Sequence, residues 1–142
     1  MKKILIVDDQ IEVRELVQVT LEIGNYQILS AENGQQAIEI ARVEHPDIIL
    51  MDIMMPQIDG FEVCSRLKAG ELTRTIPVLM VTALDDPQAR VNGMRVGAAD
   101  FITKPVDARD LFARVVRLLS VNCQEVISDR SWIPAANLVN QE

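Results

Sequence analysis

Short apolar runs that stop on acids alternate along this chain with longer stretches in which apolar residues return at helical spacing. Ile4-Leu5-Ile6-Val7 is an unbroken apolar run, and it ends at Asp8-Asp9. Asp47-Ile48-Ile49-Leu50-Met51-Asp52 repeats the arrangement, running an apolar segment straight into one acid. Runs this short and continuous fit strands buried on both faces, as in a parallel sheet, because a half-exposed strand would alternate. Pro77-Val78-Leu79-Met80-Val81-Thr82 is a third such run, ending in a hydroxyl. Tyr26 to Ala31 and Asp100-Phe101-Ile102-Thr103 are shorter strand candidates, the latter leading into Lys104-Pro105.

Between the strands the period changes. Ile11, Leu16, Val17, Thr20 and Leu21 recur at roughly helical spacing and Gly24-Asn25 supplies a stop, which predicts a first helix. A second covers Gln35 to Val43 with Ala37, Ile38 and Ala41 inward, and ends near His45-Pro46. The third runs from Phe61 to Ala69 with Phe61, Cys64 and Leu67 inward, after the loop signals Met55-Pro56 and Asp59-Gly60. Pro87 opens a fourth through Val96 before Gly97, with Gly93 inside it. Asp107 caps a fifth through Leu119, its core face being Leu111, Phe112, Val115, Leu118 and Leu119.

Five strands alternating with five helices at this spacing call for an α/β fold, a parallel sheet with helices on both faces. The expected form is a flavodoxin-like doubly wound (βα)5 unit with strand order 2-1-3-4-5. At 142 residues, 49% hydrophobic, the chain suits one well-buried core, placed at residues 1–120, with 121–142 as a C-terminal tail. The tail carries Trp132-Ile133-Pro134, either a docking patch or a segment folding back on the domain.

Charge narrows the functions. Fourteen basic against 21 acidic residues give −7, a field that repels phosphate backbones and anionic lipid, so direct nucleic-acid or membrane binding is not expected. Cys64 and Cys123 lack ligand spacing and imply no disulfide framework. Without a signal-peptide core or a long apolar run, the expected location is the cytoplasm.

In the 2-1-3-4-5 order the crevice lies between strands one and three, at the carboxyl ends of the strands. That places Asp8 and Asp9 on one side, Asp52 on the other, and Thr82 and Lys104 at the flank. Three crowded carboxylates raise one another's pKa unless a cation neutralises them. Mg²⁺, which prefers oxygen ligands and keeps waters, fits such a site, and a lysine and hydroxyl beside it would serve an incoming phosphoryl group.

These residues carry a resemblance. The chain is similar to the receiver domains of two-component response regulators from Lys2 to about Leu119, through Asp8-Asp9, Asp52 followed by Met55-Pro56 and Asp59-Gly60, Thr82-Ala83, Gly97-Ala98 and Lys104-Pro105. Each is weak singly, and together in order they are specific. Receivers of the PleD-like subgroup resemble it further, through Phe61-Glu62-Val63-Cys64 and Asp100-Phe101-Ile102-Thr103-Lys104-Pro105.

The resemblance implies a phosphoacceptor switch. Asp52 would accept a phosphoryl group from a histidine kinase or histidine phosphotransfer protein. Asp8, Asp9, Asp52 and the backbone carbonyl of Met54 would hold Mg²⁺, and Thr82 and Lys104 would stabilise the phosphoryl oxygens. Thr82 and Phe101 would form the switch, acting on the face made of the fourth helix, fifth strand and fifth helix. Arg90, Asp100, Asp110 and Arg114 resemble positions that pair across activated homodimers. An output domain or effector protein would complete the pathway, and the pattern fits a free-standing regulator as well as the receiver piece of a longer protein. Met54 and Leu84 occupy lifetime-tuning positions, and both are apolar, which implies slow self-dephosphorylation.

Rival readings are weaker. A Mg²⁺-dependent aspartyl phosphohydrolase wants a second acid two residues after the nucleophile, where Met54 stands, so a turnover enzyme is not expected. A dinucleotide-binding domain wants a Gly-rich turn where Asp8-Asp9-Gln10 stands. A phosphorylation-independent scaffold would not need the acids, threonine and lysine together.

Overall fold

The computed structural model describes residues 1–84 and 86–120, and the proposed tail with Trp132 lies outside the described residues. The elements alternate as expected: β1 (Lys2–Val7), α1 (Ile11–Leu21), β2 (Tyr26–Ala31), α2 (Gly34–Glu44), β3 (Ile48–Met51), α3 (Gly60–Ala69), β4 (Val78–Thr82), α4 (Pro87–Arg95), β5 (Asp100–Thr103) and α5 (Ala108–Ser120). All pairings are parallel, in the order β2-β1-β3-β4-β5. This is the doubly wound arrangement, with β1 and β3 adjacent at the point where the winding reverses.

The three central strands show why their runs are continuous. Leu5, Val7, Ile49, Met51, Val78 and Met80 face one core, shared with Ala37, Ala41, Val63, Cys64, Leu67 and Ala89. Ile4, Ile6, Ile48, Leu50, Leu79 and Val81 face the other, shared with Val17, Leu21, Leu111, Val115 and Leu118. Successive residues of a strand point to opposite faces, so two buried faces demand an apolar residue at every position. Each large side chain buried this way stabilises the fold by roughly 1.5–3 kcal/mol. Tyr26–Ala31 is on the sheet edge, where only Ala31 is fully buried and Gln27 and Ser30 are exposed.

Helix starts follow local chemistry. The side chains of Asn33, Asp59 and Asp86 accept hydrogen bonds from the backbone N–H groups of Gln36, Glu62 and Ala89, and Asp107 accepts from those of Arg109 and Asp110. α1 differs, since its N-cap Gln10 makes no side-chain capping bond. Of the apolar residues at helical spacing in this helix, Val17 and Leu21 are buried, whereas Ile11 and Leu16 are 53% and 63% exposed. At 100° per residue Leu16 points well away from the Val17 and Leu21 side. In α3 the buried residues are Gly60, Val63, Cys64 and Leu67, while Phe61 is only partly buried.

Candidate functional site

Register carries the acids to one place. Val7 pairs with both Ala31 and Met51, and Asp8 and Asp52 are the next residues on their strands. The N–H of Asp52 donates to the carbonyl of Val7 at 3.0 Å, and that of Asp8 to Ala31 at 3.2 Å. Thr82 pairs with Thr103, and the N–H of Lys104 donates to the Thr82 carbonyl at 2.8 Å. The strand ends therefore bring Asp8, Asp52, Thr82 and Lys104 to a common edge.

Ligand oxygens of Asp8, Asp9 and Asp52 lie within 4.8 Å of one another. Asp8 and Asp52 are buried and Asp9 is exposed. A set of carboxylates with oxygen donors only suits a hard divalent cation and offers nothing to a soft one. The cluster can hold a metal ion.

Lys104 contributes a positive charge of the protein's own. Its Nζ stands 2.9 Å from Asp8 Oδ2 and 3.3 Å from Asp52 Oδ2, bridging the acids of two strands. Burial raises the pKa of Asp8, and the hydrogen bond from Lys104 does not fully offset it. Burial alone would lower the pKa of Lys104, but the two carboxylates together outweigh it and hold the ammonium charged. The crowding expected to require a bound cation is thus partly relieved inside the chain.

Asp52 is oriented by its own loop. Its Oδ1 accepts the N–H groups of Ile53 at 2.7 Å and Met54 at 3.3 Å, leaving Oδ2 to face Lys104. The loop returns through Gln57, at φ 72°, to Gly60, whose N–H donates to the Ile53 carbonyl at 2.8 Å. A Cβ at Gly60 would lie 2.4 Å from the Asp52 carbonyl oxygen and 2.7 Å from Ile53 Cα. Only glycine lets α3 start this close to the acid.

The residues after Asp52 divide. Met55 packs partly on the core, whereas Met54 is 60% exposed. Leu84 packs partly on the same core as Met55. Thr82 is fully buried, with its Oγ1 accepting the Leu84 N–H at 3.2 Å.

Phe101 is buried, with the Arg90 guanidinium 4.8 Å from its ring centroid. Arg90 also donates to Thr103 Oγ1 at 2.9 Å. The other three residues of the expected dimer face come together within one chain: Arg114 bridges Asp100 at 2.7 Å and Asp110 at 2.8 Å. Arg117, which the sequence reading did not single out, completes the clamp on buried Asp100 at 3.0 Å. Its spacing three residues after Arg114, on one face of α5, was the available signal. Cys64 is buried, its thiol directed at the Val96 carbonyl and its pKa pushed up to about 11 by burial, so it belongs to the core.

Residues 4–116 match the family model of the response regulator receiver domain. The chain is 46% identical over 118 residues to the phosphate regulon transcriptional regulatory protein PhoB of Pseudomonas aeruginosa, covering 83% of this chain and 52% of that protein. It is also 46% identical over 113 residues to the response regulator PleD of Caulobacter vibrioides, covering 80% of this chain and 25% of that one. A crystal structure of a putative response regulator from Chloroflexus aurantiacus superposes with a TM-score of 0.80 at 34% identity, covering 84% of this chain and 98% of that one. Equal identity to PhoB and PleD means that the finer PleD likeness does not stand out from the general one. The chain spans about half the length of the first curated relatives it matches.

Proposed function

The chain belongs to the response regulator receiver family, and from that premise we propose that Asp52 is its phosphoacceptor, loaded in a Mg²⁺-dependent reaction by a histidine kinase or histidine phosphotransfer protein. The observation that carries this is the meeting of Asp8, Asp9 and Asp52 within 4.8 Å, with Lys104 bonded to two of them, at the switch point of the sheet.

An oxygen of the Asp52 carboxylate attacks phosphorus. The O–P bond of an acyl phosphate forms, and the P–N bond of the donor breaks with its electron pair going to the departing imidazole. Asp8, Asp9, Asp52 and the Met54 carbonyl would hold Mg²⁺, which supplies charge neutralisation at the phosphoryl oxygens. Lys104, already 3.3 Å from Asp52, donates to the same oxygens, and the Thr82 hydroxyl joins it. Position 54 carries no acid, so hydrolytic turnover is not part of this reading.

Phosphorylation adds roughly −1.5 to −2 charge beside Thr82, enough to bias a two-state element. In our reading Thr82 and Phe101 pass that bias to α4, β5 and α5. Dimerisation through Arg90, Asp100, Asp110 and Arg114 would require those groups to exchange internal partners for a second copy's. The PleD-like segments Phe61–Cys64 and Asp100–Pro105 place the receiver near that subgroup without naming an output. Residues 1–120 form the functional unit, working in the cytoplasm on an effector protein or an attached output domain. Apolar Met54 and Leu84 favour a long-lived acyl phosphate.

The test is incubation with acetyl phosphate and Mg²⁺, followed by mass spectrometry of wild type and Asp52→Asn. One phosphoryl group on wild type and none on the variant is expected. A wild type that stays unmodified and binds no Mg²⁺ sinks the reading.

A further inference from the structure

The acids of this site are not equally supported. Each polar atom of Asp8 has a partner: its N–H donates to Ala31, Oδ2 accepts from Lys104, Oδ1 accepts the Gln10 N–H at 3.0 Å, and its carbonyl accepts Arg14 Nη1 at 2.6 Å. The carboxylate of Asp9 is exposed and bonds to no protein donor among the described residues. Its direction can be set only through the backbone on either side of it.

Both flanking peptides are held. The 8–9 peptide is held by its carbonyl, on Arg14, and the 9–10 peptide by its N–H, on Asp8 Oδ1. Peptide units are planar, so fixing one polar atom in each constrains φ and ψ at Asp9 and hence the direction of its Cα–Cβ bond. α1 gives no help here, because Gln10 makes no side-chain cap. Arg14 also sits near the end of the helix where the dipole favours acids, a placement that costs stability unless its charge is used elsewhere.

We propose that Arg14 is a positioning residue for the metal, holding the Asp8–Asp9 peptide so that Asp9 points into the cluster. This rests on the Mg²⁺ reading above. Arg14 touches neither metal nor phosphoryl group; it acts through the carbonyl of Asp8, as outer partners of metal ligands do.

Arg14→Met keeps the aliphatic stem and removes the donor. Calorimetric titration with MgCl2 is expected to show binding about tenfold weaker than wild type, the lower end of what loss of an outer partner costs. The melting temperature in EDTA should stay within about 2 °C of wild type, because a half-buried side chain whose stem remains contributes little to the core. With acetyl phosphate, the variant should need about tenfold more Mg²⁺ yet reach nearly the wild-type rate at saturation, since the reacting groups are unchanged. Variant binding within about twofold of wild type overturns the proposal, being far less than an outer partner is worth. So does weaker binding matched by a large loss of stability in EDTA, which marks a merely structural role. Wild type taking up no Mg²⁺ overturns the metal reading itself, and this inference with it.

Discussion

Lys104 closes on Asp8 at 2.9 Å across the carboxyl edge of the sheet, with the two side chains only 18% and 4% exposed. The pair joins the loop after β5 to the end of β1, elements far apart in the chain, and Asp52 shares the same ammonium. Removing the lysine therefore leaves two buried carboxylates facing each other.

Lys104→Met is expected to destabilise the metal-free protein by about 2 kcal/mol, somewhat under the usual cost of stripping a buried charge of its partner, because the site edge reaches water. Thermal denaturation in EDTA checks this. Millimolar Mg²⁺ should restore much of the loss by supplying the missing positive charge. No difference between the two proteins in EDTA would show that the bridge contributes nothing.

Asp8→Asn should act in the opposite direction. Burial raises the pKa of Asp8, so the folded state binds its proton more tightly than the unfolded chain does. Wild-type stability therefore falls as pH rises from the unfolded value of 3.8 through the raised folded value, and stays reduced above it. Asparagine escapes that loss and can still accept the Gln10 N–H. A gain in stability at pH 7 in EDTA is expected, shrinking as pH falls through the raised folded value toward 3.8, together with weaker Mg²⁺ binding. Denaturant melts at pH 7 and pH 3.5 measure it, and a variant less stable at pH 7 would contradict the raised pKa.

Gly60→Ala places a methyl group 2.4 Å from the Asp52 carbonyl oxygen, against backbone that cannot turn aside as a side chain would. The loop carrying Asp52 must shift. A loss of about 1–3 kcal/mol, the usual cost of overpacking, is expected by urea denaturation, with slower phosphorylation by acetyl phosphate. Wild-type values on both counts would mean that the loop is softer than its contacts indicate.

The clamp on Asp100 predicts non-additivity. Either Arg114 or Arg117 alone still compensates the buried carboxylate, at 2.7 Å and 3.0 Å respectively. Replacing both with alanine should cost about 1 kcal/mol more than the sum of the single changes. A double-mutant cycle by denaturant melting tests this, and strict additivity would mean that Asp100 finds another partner.

The strands and the acids that end them were readable along the chain because each is a local pattern. Ile48–Met51 could be buried on both faces only as an unbroken apolar run, and Asp52 follows it directly. The inward face of α1 was less legible. Ile11 and Leu16 are apolar but exposed, because hydrophobicity marks a residue that can be buried and only packing decides whether it is.

Arg14, Arg117 and the close approach of Gly60 belong to another class. Arg14 and Arg117 look like ordinary charges on helix surfaces, and Asp59-Gly60 looks like any turn. Their roles depend on which atom of a separate segment lies opposite, as the Asp8 carbonyl does for Arg14 and the Asp100 carboxylate for Arg117. Arg114 likewise pairs within the chain with buried Asp100 and exposed Asp110.

The sequence by itself determined the alternation of strands and helices, the parallel doubly wound sheet, and the acids, threonine and lysine that end its strands. Those follow from periodicity and from chain order, which act over a few residues. Only the tertiary structure decided that Lys104 neutralises Asp8 and Asp52, that Asp8 is fully tied while Asp9 depends on its backbone, and that glycine alone fits beside Asp52. Hydrogen bonds and steric exclusion act over about 3 Å, and which atoms come that close is set by the register of distant strands once the cores on both faces have closed.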